Sequence, residues 1–571
     1  MSQRRFLAIA LLIIAFGGAL RMMWLRADPP TTSVGIVWHD EGAWTHNARN
    51  RALWGTWTTD QWNPVYIAPV FTAFEYAAFR TWGVGTWQAR TIPAGSGLIA
   101  ITAIMIGLAA ATGNRRVALV GGALLATEYT WVMWNRAALM ESTMTMFMVV
   151  AWAAYALASK RPVWGLLAGA ATALAWFTKA SAAFFAAAIV LDAALTLIAR
   201  AAPAADPGEA GRQRRAAMWT LAGGALVGGA IAVAFVWPHW TEYWFYNVQM
   251  SVERKPTYDL RSLIQRASWL TVVQDIFTRA WPLLAAAALA MASVCARIRH
   301  ARPAERLLLW WVLIGLLELV VHDSGNQRRY VMFIPAIVAL ASMALASGKA
   351  WISSPGAAAA PWRSRVAFAP IALALGYVVI GTALQPLLVV DRAAPNPYHM
   401  AVTVATALAV LGTLSLMVWW RPIVNWLSTH AIQPRAAAVL VAAVVLWNLG
   451  QYVGWAAART ELNYRASLAL GQLLPSGTLI QGKLANGLDL ENQIKPIFIG
   501  RGFGNYADRF DRDDARYILT FDLPKVGLES QPGLIDEILA RYPNKRPVAT
   551  FDVEETTGAD RAVLIEKRAR Y

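Results

Sequence analysis

The chain has 571 residues, of which 57% are hydrophobic and only 15% charged, and its formal charge is +17. Soluble domains carry about 25% charged residues, so this deficit, with a mean hydropathy of +0.41, excludes an ordinary soluble protein. The excess Lys and Arg lie between apolar runs, which marks the inner loops of a membrane protein and not a nucleic-acid surface.

The first apolar run, 6–25, follows Arg4 and Arg5. It is long enough to span and no small-x-small cleavage site follows it, so it reads as a retained helix. A long loop, 26–90, comes next and contains "HDEGAWTHNARNRALWGTW" from His39 to Trp57. Helix formers from Glu41 to Trp54 predict a helix lying at the membrane interface. Asp40 and Glu41 stand at its start, where carboxylates are favoured by the helix dipole and where Asp40 could simply act as a cap.

Apolar runs then recur as far as 434–456, giving about thirteen spans by the twenty-residue criterion. One run covers 116–134, and the pair 163–178 and 181–199, joined by "TKAS", could be one broken helix. One set of alternate loops is short and basic: Arg4/Arg5, Arg115/Arg116, Lys160/Arg161, "RQRR" at 212–215, "RIRHARPAER" at 297–306, Arg363/Arg365 and Arg421. The other set mixes acids, aromatics, His and Asn. The positive-inside bias puts the N-terminus in the cytoplasm and the mixed set outside the cytoplasmic membrane. An odd number of spans puts the C-terminus outside as well.

From about residue 458 the composition changes. "RYILTF" and "RPVATFDV" alternate like strands and "GLIDEILARY" has helical spacing. The division expected is a membrane domain over 1–457 and an extracytoplasmic α/β accessory domain over 458–571. "IGRGFGNY" at 499–506 has too little of a dinucleotide fingerprint to be more than a turn.

The outer loops gather ionisable side chains. "NRAALME" at 135–141 supplies Arg136 and Glu141, "TKAS" supplies Lys179, and "WPHWTEYW" supplies His239 and Glu242. "HDSGNQRRY" supplies His322, Asp323, Arg328, Arg329 and Tyr330, while Glu128 and Glu318 lie near the outer ends of runs. Any one of these could be an interface anchor or a salt-bridge partner. Together they describe a polar cavity at the outer leaflet, with acids for one reactant and cations for another.

At this point the residues carry a resemblance. "HDEGAWTHNARNRALWGTW", "WQARTIPAGSGL", "NRAALMESTMTMF", "GLLAGAATALAWFTKAS" and "RRYVMFIPAIVAL" follow one another over about the first 350 residues. In that order they are similar to the glycosyltransferase-39-type GT-C enzymes, which include protein O-mannosyltransferases and the aminoarabinose transferases of lipid A. The resemblance implies an all-α polytopic GT-C fold and an inverting transferase. Such an enzyme takes a sugar from a polyprenyl-phosphate donor and passes it to an extracytoplasmic acceptor, which can be protein, lipid or glycan.

By the same resemblance Asp40 matches an acid proposed as the catalytic base or as part of the acceptor and metal site, with Glu41 beside it and Glu141 in a second acidic position that is usually aspartate. Lys179, Arg329 and Tyr330 match basic and aromatic positions. With Arg136, His239 and Arg328 they form the set expected at the donor phosphate. A divalent cation between Asp40 and Glu141 is conceivable on charge grounds. One departure stands out: many relatives carry an acid-Lys-Pro-Pro element in the first loop, where this chain has "NPVYIAPV" at 63–70.

Alternative readings are an oligosaccharide ligase or oligosaccharyltransferase, or a lipid-linked sugar flippase. A flippase predicts inverted repeats and charges at the bilayer midplane, neither of which the sequence displays.

Overall fold

The computed structural model describes residues 2–57, 63–198, 207–253, 275–298, 301–322, 327–348, 362–388, 399–499, 506–521, 534–555 and 558–568. The N-terminal helix α1 (Gln3–Met22) is followed by a short α2 (Thr31–Val34), by α3 (Asp40–Trp54) and by α4 (Pro69–Trp82). The central bundle comprises α5 (Thr86–Thr112), α6 (Arg115–Thr127), α7 (Tyr129–Trp134), α8 (Met140–Ala158), α9 (Trp164–Thr178), α10 (Ala183–Ile198) and α11 (Pro207–Ile231). A short α12 (Trp240–Trp244) precedes α13 (Asp275–Ala296), α14 (Pro303–His322), α15 (Ile334–Ala346), α16 (Trp362–Leu388) and α17 (His399–Val418). Then come α18 (Trp420–Thr429), α19 (Pro434–Ala458), α20 (Leu462–Leu473), α21 (Lys483–Gly487) and α22 (Leu534–Leu539).

Each apolar run read from the sequence is helical. Among the described residues, eight helical stretches are long and apolar enough to cross a membrane, and three more apolar helices are shorter. Their outer faces carry exposed Leu11, Leu12, Leu226, Val233, Leu411 and Leu446. Surfaces of that kind mark contact with a membrane or another apolar partner. The chain is a multi-pass membrane protein.

One run departs from the sequence expectation for a local reason. The 116–134 run breaks at Glu128, whose carboxylate accepts the Trp131 amide at 2.5 Å and so starts α7 as a new helix. The "TKAS" junction is a real break, with Lys179 extended between α9 and a 3-10 turn.

Small residues let helices approach. A Cβ on Gly165 or Gly169 of α9 would lie 2.5 Å from the Ala216 carbonyl or 1.9 Å from that of Thr220 on α11. That is the small-xxx-small pattern of membrane helix pairs.

The five-stranded sheet is built from β1 (Leu479–Gln481), β2 (Lys495–Ile497), β3 (Tyr517–Phe521), β4 (Arg546–Glu555) and β5 (Gly558–Glu566). Its order is β2-β1-β3-β5-β4, parallel across β2-β1-β3 and antiparallel across β3-β5-β4. The predicted strands "RYILTF" and "RPVATFDV" are β3 and β4, and α22 lies within "GLIDEILARY". Residues 500–505 of the glycine-rich "IGRGFGNY" lie outside the described residues.

Helix α3 is not the interfacial helix expected from its sequence. Ten of its fifteen residues are buried, because residues 486–494 of the C-terminal region close over it. Arg49 is fully buried and donates to the carbonyls of Asp489, Asn492 and Ile494 at 2.9–3.0 Å. Trp38 belongs to the same apolar cluster as Leu470, Ile480, Leu484 and Leu519.

Gly42 permits this approach, since a Cβ there would fall 1.6 Å from the Asn486 carbonyl oxygen. Gly42→Ala is therefore expected to destabilise the protein by about 1–3 kcal/mol, the range for overpacking, despite alanine's better helix propensity. Thermal unfolding of the purified variant checks this; an unchanged or raised Tm would show that the contact yields.

Candidate functional site

Asp40 and Glu41 open α3, yet they do different things. His39 occupies the cap position with no side-chain cap bond, and Asp40 is the first helical residue. The simple capping role for Asp40 is not what the structure shows. Its carboxylate lies 3.6 Å from His39 Nε2, with the side chain 10% exposed.

Glu41 is committed to its neighbours. Arg90 donates Nε to Oε1 at 2.8 Å and Nη2 to Oε2 at 2.6 Å, and the Ala138 amide donates to Oε1 at 2.7 Å. A bidentate, buried pair of this kind fixes geometry. Arg90 also donates to the carbonyls of Leu25 and Ala27, so one guanidinium ties the end of the N-terminal segment to α3 and α5. Glu41 thus ties the start of α3 to α5 and to the turn before α8.

That turn brings in Glu141. It stands in the first turn of α8 and accepts from Lys179 Nζ at 2.6 Å, with the glutamate 2% and the lysine 18% exposed. The loop carrying Asp40, the 135–141 turn and the 179 break, distant in sequence, are thus joined by the Arg90–Glu41–Ala138 and Glu141–Lys179 contacts.

The remaining candidates divide. Arg329 pairs with Glu318 at 2.8 Å, its side chain 14% exposed, and Tyr330 beside it is fully buried. His239 bonds the Phe235 carbonyl at 2.9 Å and lies 5.3 Å from the Tyr66 ring. Asn247 donates to the Tyr66 carbonyl, so this segment rests on the first loop. Beside it runs a groove of about 670 Å³ lined by Tyr66, Trp240, Glu242, Trp244, Phe245 and Tyr246, among others.

Arg136 stands apart from the expected phosphate set. Its guanidinium donates to the carbonyls of Leu20, Arg21, Met23 and Trp24 and lies over the Trp455 ring, which makes it the clamp on the end of α1. The side chains of His322 and Arg328, and Asp323 altogether, lie outside the described residues.

Sequence reasoning missed Arg90, Arg49 and Glu75. Glu75 on α4 is fully buried with no hydrogen-bond partner for either oxygen among the described residues. Burial, with the Glu41 charge nearby, pushes its carboxyl well above the usual range. An acid inside the "FTAFEYAAF" stretch, out of step with its apolar neighbours, was the available signal.

Among the described residues no group of three or more His, Cys, Asp or Glu is arranged to hold a metal ion. Glu141 is answered by an ammonium group instead. With Glu141 engaged by Lys179, no step below is routed through a metal.

No protein-family model and no curated protein matches the chain. Solved structures do. The crystal structure of ArnT from Cupriavidus metallidurans bound to undecaprenyl phosphate aligns with a TM-score of 0.54 at 17% identity, over 99% of this chain and 97% of that one. Its apo state gives 0.53 at 18% identity over the same shares. The apo oligosaccharyltransferase of Archaeoglobus fulgidus gives 0.45 at 12% identity, over 91% and 70%. Helices in this order, capped by a small C-terminal sheet and aligned almost end to end, give this chain the GT-C fold.

Proposed function

We propose that the protein is a glycosyltransferase that takes a sugar from a polyprenyl-phosphate donor. It transfers that sugar to an acceptor hydroxyl on the extracytoplasmic side of the cytoplasmic membrane. The observation that carries this reading is that the segment bearing Asp40 is tied, through Glu41–Arg90 and the Ala138 amide, to the turn that carries the Glu141–Lys179 pair, within a fold shared over nearly its whole length with an undecaprenyl-phosphate-bound protein.

The chemistry follows from the groups present. The acceptor oxygen attacks the anomeric carbon as the bond from that carbon to the phosphate oxygen breaks. Polyprenyl phosphate leaves with the electron pair, and the acceptor proton passes to the Asp40 carboxylate. One displacement inverts the anomeric centre. Phosphate is a competent leaving group, so the site needs cations on it more than an acid behind it. This reading assigns that part to Lys179 and Arg329, each of which pairs with a glutamate. Neither is directed into bulk water.

Glu41 positions and Asp40 accepts the proton. The aromatic groove beside His239 offers ring faces to a sugar or a prenyl chain. The C-terminal region over 458–571 is extracytoplasmic in this reading. It bears on the site by burying α3 from above, through Arg49 and Trp38.

Lys179→Ala tests the donor part. Loss of one charge-assisted contact contributes about 1.5–3 kcal/mol, so the affinity of the purified protein for undecaprenyl phosphate should fall by about ten- to a hundredfold. Unchanged affinity for both Lys179→Ala and Arg329→Ala would remove the assignment.

A further inference from the structure

A second polar cavity lies far from Asp40. Helix α5 passes Arg90 near its start and lines this cavity with Ala110 and Ala111 near its end. At 1.5 Å per residue that separates the two places by about 30 Å, the thickness of a bilayer core. The cavity holds about 210 Å³, room for about seven waters at their liquid volume. That is enough for a phosphate and a few attached carbons.

Its lining is amphiphilic. Lys160, Arg212 and Arg302 bring three cations against one carboxylate, Glu209, which accepts from Gln213. The walls are alanines 110, 111, 156, 216 and 304 with Pro303. The base is fixed: Tyr155 donates to the buried Asp192, which Arg306 holds at 2.7 Å while also donating to Thr196. Arg302 is held by the Ala111 carbonyl at the end of α5. The same end of the bundle carries the short basic loops, which face the cytoplasm by the charge bias.

We propose that this cavity binds a phosphate group carried on an apolar stem, the head of an acidic phospholipid of the inner leaflet. The cations meet the phosphate, and the methyl-lined wall meets the first carbons beyond it. Basic pockets between membrane helices on the cytoplasmic side suit such head groups, whereas a free anion leaves the apolar wall without a partner.

The full-length protein in neutral detergent is the material for the test. Phosphatidylglycerol should raise its Tm, and phosphatidylcholine or glycerol 3-phosphate at the same concentration should not. The shift should vanish in Lys160→Gln/Arg212→Gln and survive in Lys160→Arg/Arg212→Lys. Should the first variant fail to fold, Lys160→Gln alone, at an exposed side chain, reduces the same shift. A shift from glycerol 3-phosphate that the Gln variant loses keeps the site and makes its ligand a soluble phosphate. Equal stabilisation of wild type and Gln variant by phosphatidylglycerol, or equal response to phosphatidylcholine, overturns the proposal. None of these readings depends on sugar transfer.

Discussion

Asp40→Asn should lower turnover by at least about a hundredfold, the lower part of the range for general-base catalysis, while leaving the protein folded and inserted. Asparagine keeps the shape of the side chain and one acceptor oxygen, and replaces the other oxygen and its charge with an amide donor. The anchoring of this segment rests on other groups: Glu41 with Arg90 and Ala138, and Arg49 with the C-terminal carbonyls. In the proposed reading, stability and catalysis are therefore separable at neighbouring residues. A hundredfold corresponds to about 2.7 kcal/mol of barrier, and it should appear in kcat with donor affinity unchanged. A variant with near-normal turnover would leave Asp40 a purely structural acid beside His39.

Arg90→Ala should be the most destabilising single change in the outer region. It strands the buried Glu41 carboxylate without its bidentate partner and removes the donors to the Leu25 and Ala27 carbonyls. Breaking a buried pair from one side costs about 3–5 kcal/mol. Glu75, already pushed towards its neutral form by burial and by Glu41, gives the stranded charge no relief. Glu41→Gln paired with Arg90→Met removes both charges and should recover much of the loss, since the penalty belongs to the unpaired ion. Thermal unfolding of the two single variants and the double variant measures this. Additive losses would show that the two side chains act independently.

The helices and the sheet were legible because their signals are local. Apolar runs of spanning length, the alternation in "RYILTF", and the clustering of Asp and Glu in the first turn of α3 need no distant partner to be read. The burial of α3 was not legible. Its polar face, with His46, Asn47, Arg49 and Asn50, looks solvent-facing until residues 486–494 supply carbonyls and an aspartate, Asp489, some 440 positions away. Burial raises the Asp489 carboxyl to about 6, against the pull of Arg49.

The same holds for the ion pairs. Glu41 meets Arg90 across 49 positions, and Glu141 meets Lys179 across 38. Sequence patterning placed all four on one side of the membrane but could not pair them. Arg136 shows the converse: a cation in an outer turn suits a phosphate and a helix end equally, and here the α1 carbonyls hold it. The break at Glu128 was readable in principle. A carboxylate three residues before a backbone amide is a capping pattern, hidden there by the apolar residues on both sides.

In the proposed reading the outer cluster receives a lipid-linked phosphate. The most direct measurement is an experimental structure of the full chain with undecaprenyl phosphate. The phosphate is predicted within about 3 Å of Lys179 or Arg329, the distance of a charge-assisted hydrogen bond, on the same side of the bundle as Asp40. A phosphate bound away from both cations, or only at the Lys160–Arg212 end of the bundle, would contradict it.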